Sequence, residues 1–143
     1  MAIKQITVFV ENRQGALVEI TDTLAKERVN IRALSIAETN DFGILRLIVN
    51  NEGKAEATLQ EKGYLIKVTE VVGVKIGDEP GELTSALSVL DKEGINMEYL
   101  YAFMARTEKH AYVVLRVEDN AHAEKALTDA GFKIVTLFDI EKL

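Results

Sequence analysis

The sequence predicts an α+β protein built from two copies of one βαββαβ unit in tandem, and three observations predict it. The first is a repeat: Val10-Glu11-Asn12-Arg13-Gln14-Gly15-Ala16-Leu17 aligns with Ile76-Gly77-Asp78-Glu79-Pro80-Gly81-Glu82-Leu83 at an offset of 66 residues. Val29-Asn30-Ile31 aligns with Ile95-Asn96-Met97 at that same offset of 66. The second is apolar periodicity, which switches between strand-like and helix-like spacing in one order in both copies. The third is punctuation: Gly63-Tyr64 and Gly131-Phe132 match at an offset of 68, the difference falling in the middle hairpin.

Residues 3–10 alternate, with Ile6, Val8 and Val10 on one face, and read as a strand. Leu17, Ile20, Thr21 and Leu24 then recur at helical spacing, and Leu83, Ala86, Leu87 and Leu90 repeat the pattern. Pro80 stands where a first-turn proline is tolerated. Residues 31–38 and 43–49 form a hairpin around Asn40-Asp41, a pair suited to a turn. A short helix at about 53–62 ends at Gly63, and a last strand runs from Tyr64 to about Val68; the second copy ends its helix at Gly131. This order is the ferredoxin-like split βαβ arrangement, an antiparallel sheet with its helices on one face. Only Thr69-Glu70 separates the copies, giving expected domains of 1–69 and 70–143 packed as a rigid pair.

Composition narrows the function. The chain of 143 residues carries a net charge of −6, and no run of Lys and Arg offers the basic face that nucleic acid requires. No cysteine is present, and only His110 and His122 are available as imidazoles, so thiolate chemistry is excluded and neither metal nor cofactor is expected. No stretch is apolar enough for a signal peptide or a membrane span, and a cytoplasmic protein is the default expectation.

The informative residues lie between the first strand and first helix of each copy. Gly15 and Gly81 at the helix entrance let the backbone approach a ligand without an intervening Cβ. The free amides of the first helical turn favour a carboxylate, and Asn12 or Asp78 can accept from an ammonium group. An amino-acid zwitterion suits this arrangement. The plainer alternative is that Asn12 and Asp78 start a helix while the glycines make a tight turn. Asn30 and Asn96, each in an apolar context after the first helix, are further candidates; their plainer role is to close a helix end.

The string Glu11-Asn12-Arg13-Gln14-Gly15-Ala16-Leu17, followed by Val29-Asn30-Ile31, resembles the ACT domain, and in particular that of serine-regulated phosphoglycerate dehydrogenase. The resemblance implies two tandem ACT modules that sense a small ligand, usually an amino acid. In that family the loop asparagine and the strand asparagine bind the effector across a domain pair, roles that fall by resemblance to Asn12 and Asn30. The candidate set is therefore Asn12, Arg13, Gln14, Gly15, Ala16, Leu17, Asn30 and Ile31 in the first copy. In the second copy it is Asp78, Glu79, Pro80, Gly81, Glu82, Leu83, Asn96 and Met97. Asp78 departs from the family's asparagine, which puts equal binding at the two copies in doubt.

The second hairpin, expected to turn near Thr107-Glu108, places Leu100, Ala102, Met104, Val113, Leu115 and Val117 on a core face. Tyr99, Tyr101, Phe103, Tyr112, Val114 and Arg116 then share the opposite face; the aligned first-copy residues are Ala33, Ser35, Ala37, Ile44, Arg46 and Ile48. An apolar patch of that size implies a covering partner, and a homodimer through the open sheet face is expected. Two function classes remain. One is a free-standing sensor that binds an amino-acid effector and signals by changed packing to an unidentified regulated protein. The other is a small ferredoxin-like hydrolase or isomerase, with a pure assembly module as a third option. For an enzyme the loops offer the carboxylates Glu11, Asp78 and Glu79, with no Ser–His pair or phosphate cradle.

Overall fold

The computed structural model describes residues 2–38, 41–103 and 109–142. The chain is α+β and carries two βαββαβ-like modules in tandem, which divide into two compact units, Lys4–Thr69 and Glu70–Leu143 with Met1–Ile3.

In the first unit most of β1 (Ile3–Glu11), then α1 (Ala16–Lys26), β2 (Ile31–Glu38), β3 (Phe42–Val49) and α2 (Glu52–Glu61) follow the expected order. β3 is central, antiparallel to β1 through Val8↔Leu45 and to β2 through Ile36↔Leu45. Ile20 and Leu24 of α1 and Ala55 and Leu59 of α2 bury against Ile6, Val8, Leu45 and Leu47, so both helices cover one face of the sheet. Each fully buried Ile or Leu contributes roughly 1.5–3 kcal/mol through area removed from water. Asn51 caps α2, its side chain accepting from the Lys54 amide at 3.1 Å.

The second unit contains most of β4 (Ile66–Gly77), then α3 (Glu82–Lys92), β5 (Met97–Ala102), β6 (His110–Val117), α4 (Asn120–Asp129), β7 (Lys133–Val135) and α5 (Leu137–Glu141). β6 is antiparallel to β4 and β5, and β7 is antiparallel to β4. Ala86, Leu90, Ala123 and Leu127 pack on Val72, Val74, Leu115 and Val117, the counterpart of the first core. Ile3 is buried in this unit; a Cβ at Gly73 would lie 2.6 Å from its Cδ1.

The structure corrects several expectations. The strand expected over 64–68 does not stop at Thr69-Glu70; it continues as the single twelve-residue β4, because Val68, Thr69, Val71 and Val72 all favour extended backbone. Pro80 is not in the first turn of α3, which starts at Glu82 after Gly81. After β7 the chain adds α5, fixed by a capping box between Thr136 and Asp139. Ala102 is exposed at the end of β5 and takes no part in the core. Asn40 of the first hairpin turn, and Met104 and Thr107-Glu108 of the second, lie outside the described residues.

The aromatic face also differs from expectation. Tyr101, Phe103 and Val114 are buried within a single chain, so removing them from water does not require a second one. The exposed large apolar residues include Phe9 and Phe42 in the first unit, packed edge to face at 6.2 Å, with Val18, Ile36 and Leu65, and Leu83 and Phe138 in the second.

Candidate functional site

The loop between β1 and α1 owes its shape to Gly15. The Ala16 amide donates to the Arg13 carbonyl at 3.3 Å, and Gly15 sits at φ 86°, ψ −11°. That is the third position of a type II turn, which requires positive φ. The second copy repeats it: Glu82 N–H donates to Glu79 at 3.2 Å, with Gly81 at φ 93°, ψ −12°. Pro80 therefore occupies the second position of that turn, where its fixed φ is suited.

Gly15 and Gly81 also serve as N-caps and supply no side-chain cap. The Leu17 and Val18 amides of α1 accordingly have no hydrogen-bond acceptor among the described residues. These are the donors a helix start offers to a carboxylate.

Beside them is a cavity of about 250 Å³ lined by Val10, Glu11, Asn12, Arg13, Ala16, Leu17, Ile36, Glu38 and Gly43. Its polar residues belong to two hydrogen-bonded groups. The Asn12 side-chain amide donates to Glu38 Oε1 at 3.3 Å, tying the loop to the end of β2. Arg13 donates to Glu11 Oε2 at 3.2 Å and to Glu19 Oε2 at 2.8 Å. The Tyr64 hydroxyl donates to the same Glu19 oxygen at 3.4 Å. The Arg13 hydrogen bond holds the Glu19 carboxyl below its ordinary range, and Glu19 in turn raises the Arg13 guanidinium. Burial, then the charge of Glu19, raises the Tyr64 phenol.

The structure thus gathers Asn12, Arg13, Ala16 and Leu17 around one cavity. Gln14 and Gly15 shape the turn and do not line it. Asn30 and Ile31 stand at the opposite end of β2 from Glu38, about 23 Å away by strand rise. There the Asn30 backbone pairs with Asn50, its N–H donating to Asn50 Oδ1 at 2.9 Å. Within one unit, then, Asn12 and Asn30 do not share a site. In the second unit the Asp78 amide donates to the Lys109 carbonyl at 3.3 Å, and Leu83 is exposed. Met97 starts β5 and packs against the core. Asn96 lines a different depression of about 470 Å³ with Glu98, Arg116, Glu118, Asp119 and His122. His122 approaches Glu93 at 3.4 Å, and Arg116 approaches Glu98 at 3.5 Å.

Sequence reasoning missed Val10, Ile36, Glu38 and Gly43 as cavity residues. Only strand register reveals them: Glu38↔Gly43 and Val10↔Gly43 bring three strand ends together beside the loop. Among the described residues, no cluster of His, Cys, Asp and Glu suits a metal, and no helix is long and apolar enough to cross a membrane.

A ferredoxin-like module repeated in tandem, with an open cavity at the β1–α1 loop of its first copy, belongs to a class of domain pairs. The family model described as an ACT domain pair matches residues 1–142. The chain belongs to that family. A crystal structure of a protein from Bacteroides thetaiotaomicron is similar over 100% of this chain and 98% of that one, at 37% identity and TM-score 0.92. The ligand-free regulatory subunit of aspartate kinase from Thermus thermophilus shares the fold, with TM-score 0.68 at 15% identity over 91% of this chain and 93% of that one. The corresponding subunit from Thermus flavus gives TM-score 0.60 at 15% identity, covering 91% and 93%. Comparison with curated proteins finds no match.

Proposed function

We propose that the chain is a non-enzymatic regulatory protein that binds a small amino acid in the Asn12–Leu17 cavity of its first ACT copy. The observation that carries this reading is the combination of chemistry around that cavity. The uncapped Leu17 and Val18 amides suit a carboxylate, Glu38 beside Asn12 suits an ammonium, and Val10, Ala16 and Ile36 supply an apolar wall. Cavities of about 150 Å³ already admit benzene, so about 250 Å³ accommodates a small amino acid. Arg13 is engaged by Glu11 and Glu19, which leaves Glu38 to select for the ammonium end. Family membership supports the sensing role. Output passes to a regulated partner through whichever packing arrangement the ligand binds better.

A thermal-shift screen against the common amino acids tests the proposal. Saturation at about a hundred times Kd adds roughly 2.7 kcal/mol, a rise of several degrees. Asn12→Ala and Glu38→Gln each abolish the rise, and the ligand is recovered chemically unchanged. A flat response to every amino acid refutes the reading. Asn30→Ala tests the separate role implied by family resemblance: an unchanged shift removes Asn30 from the site.

A further inference from the structure

We infer that Glu82 occupies the second copy's binding position with its own carboxylate, so that the chain binds one amino acid, in the first copy only. This rests on the amino-acid reading of the first copy.

Two of the residues that line the first cavity are Glu11, at the end of β1, and Ala16, at the start of α1; their counterparts at an offset of 66 are Gly77 and Glu82. The exchange is reciprocal. Where the first copy has a side chain on the strand and only a methyl on the helix, the second has no side chain on the strand and a long one on the helix. The two second-copy residues touch: a Cβ placed on Gly77 would lie 2.8 Å from Glu82 Cδ, 3.0 Å from its Cγ and 3.0 Å from Oε2. The Glu82 side chain therefore runs from the start of α3 to the bare backbone of Gly77, across the space between the two positions that line the first cavity as Ala16 and Glu11. Glu11 forbids this fold in the first copy, because its own Cβ stands there.

Charge acts in the same direction. From Glu11 to Leu17 the first loop carries one acid and one base, Glu11 and Arg13. From Gly77 to Leu83 the second carries Asp78, Glu79 and Glu82 with no base. A free amino acid meets both an occupied position and a negative field. Ala16 and Glu82 are thus the residues that decide which copy is receptive.

The test is amide chemical-shift mapping by NMR on the full chain, titrated with glycine and with L-serine. In the unaltered chain shifts appear at Asn12–Leu17 and not at Asp78–Leu83. Glu82→Ala adds a second set at Asp78–Leu83 without disturbing the first. Gly77→Ala, which leaves Glu82 in place but drives its carboxylate aside, adds it too. Glu82→Gln separates filling from charge: a persistently silent second loop assigns the block to bulk, and a responsive one assigns it to charge. Ala16→Glu combined with Glu11→Gly, which copies the second loop's exchange, silences the first loop. Saturable shifts at both loops of the unaltered chain, or no second-loop response in Glu82→Ala and Gly77→Ala, overturn the inference. Silence at the first loop of the unaltered chain overturns the amino-acid reading instead, and the second-loop result in Glu82→Ala still decides the role of Glu82.

Discussion

Replacing glycine by alanine at three positions should produce three different outcomes, each set by the local backbone. Gly15 holds φ 86° and a Cβ there meets nothing within 4 Å, so Gly15→Ala pays only for left-handed backbone. That costs about 1–2 kcal/mol, offset by roughly 0.4–1 kcal/mol from the restricted unfolded chain; the net loss is near 1 kcal/mol. Gly53 lies in the first turn of α2 with no positive φ and equally open surroundings, so Gly53→Ala stabilises. The gain is about 0.5–1 kcal/mol from helix propensity. At Gly73 a Cβ would meet Ile3 Cδ1 at 2.6 Å and Val135 Cβ at 3.2 Å. Gly73→Ala therefore overpacks a buried contact and loses about 1–3 kcal/mol. Urea unfolding with unchanged slope is the assay; with a slope near ~2 kcal/mol/M, Gly15→Ala and Gly53→Ala move the midpoint by about half a molar or less in opposite directions. A stabilising Gly15→Ala would refute the type II turn argument, and a destabilising Gly53→Ala would refute the helix argument.

The Glu19 carboxyl is depressed, chiefly by its hydrogen bond from Arg13, so its contribution to stability is full above its ordinary 4.5 and is lost as pH falls through the lower folded value. Arg13→Ala should flatten that acid-side slope in urea midpoints measured between mildly and strongly acidic pH; an unaltered slope would show that the pair has no energetic coupling. Tyr64 should ionise above the ordinary 10.0, as ultraviolet absorbance reports, and Glu19→Gln should bring it partly down. Thr136→Ala removes the cap of α5 and should cost about 1 kcal/mol, with hydrogen exchange accelerating through Leu137–Glu141; unchanged exchange would mean that packing of Ile140 alone holds the helix.

Much of the fold was legible because long periodic segments announce themselves. The spacing of Leu17, Ile20 and Leu24 left little choice for α1, and Ile20 and Leu24 are indeed fully buried. Thr69-Glu70 separates the copies by repeat spacing, yet the extended preference of Val68, Thr69, Val71 and Val72 carries one strand through it. Pro80 was placed in the helix because a first-turn proline and the second residue of a type II turn demand the same φ; Gly81 immediately after it was the distinguishing signal. The Thr136–Asp139 spacing was a readable helix start that went unused. In the site, Asn12, Arg13, Ala16 and Leu17 could be read from one loop, whereas Glu38 and Gly43 enter only through strand register. Glu82 was readable as a candidate, but whether it contacts a ligand or replaces one depends on a side-chain path that no spacing encodes.

The unbroken β4 has a practical consequence for anyone cutting or copying this gene. No single break yields the second copy intact: an expression boundary at Glu70 discards Ile3, which is buried within that copy's compact unit, and severs a strand four residues after its start. A protease meets the same obstacle, since the peptide bonds joining the copies belong to a strand instead of a tether. The two halves divide at the repeat boundary, yet the second keeps its first three residues at the far end of the first.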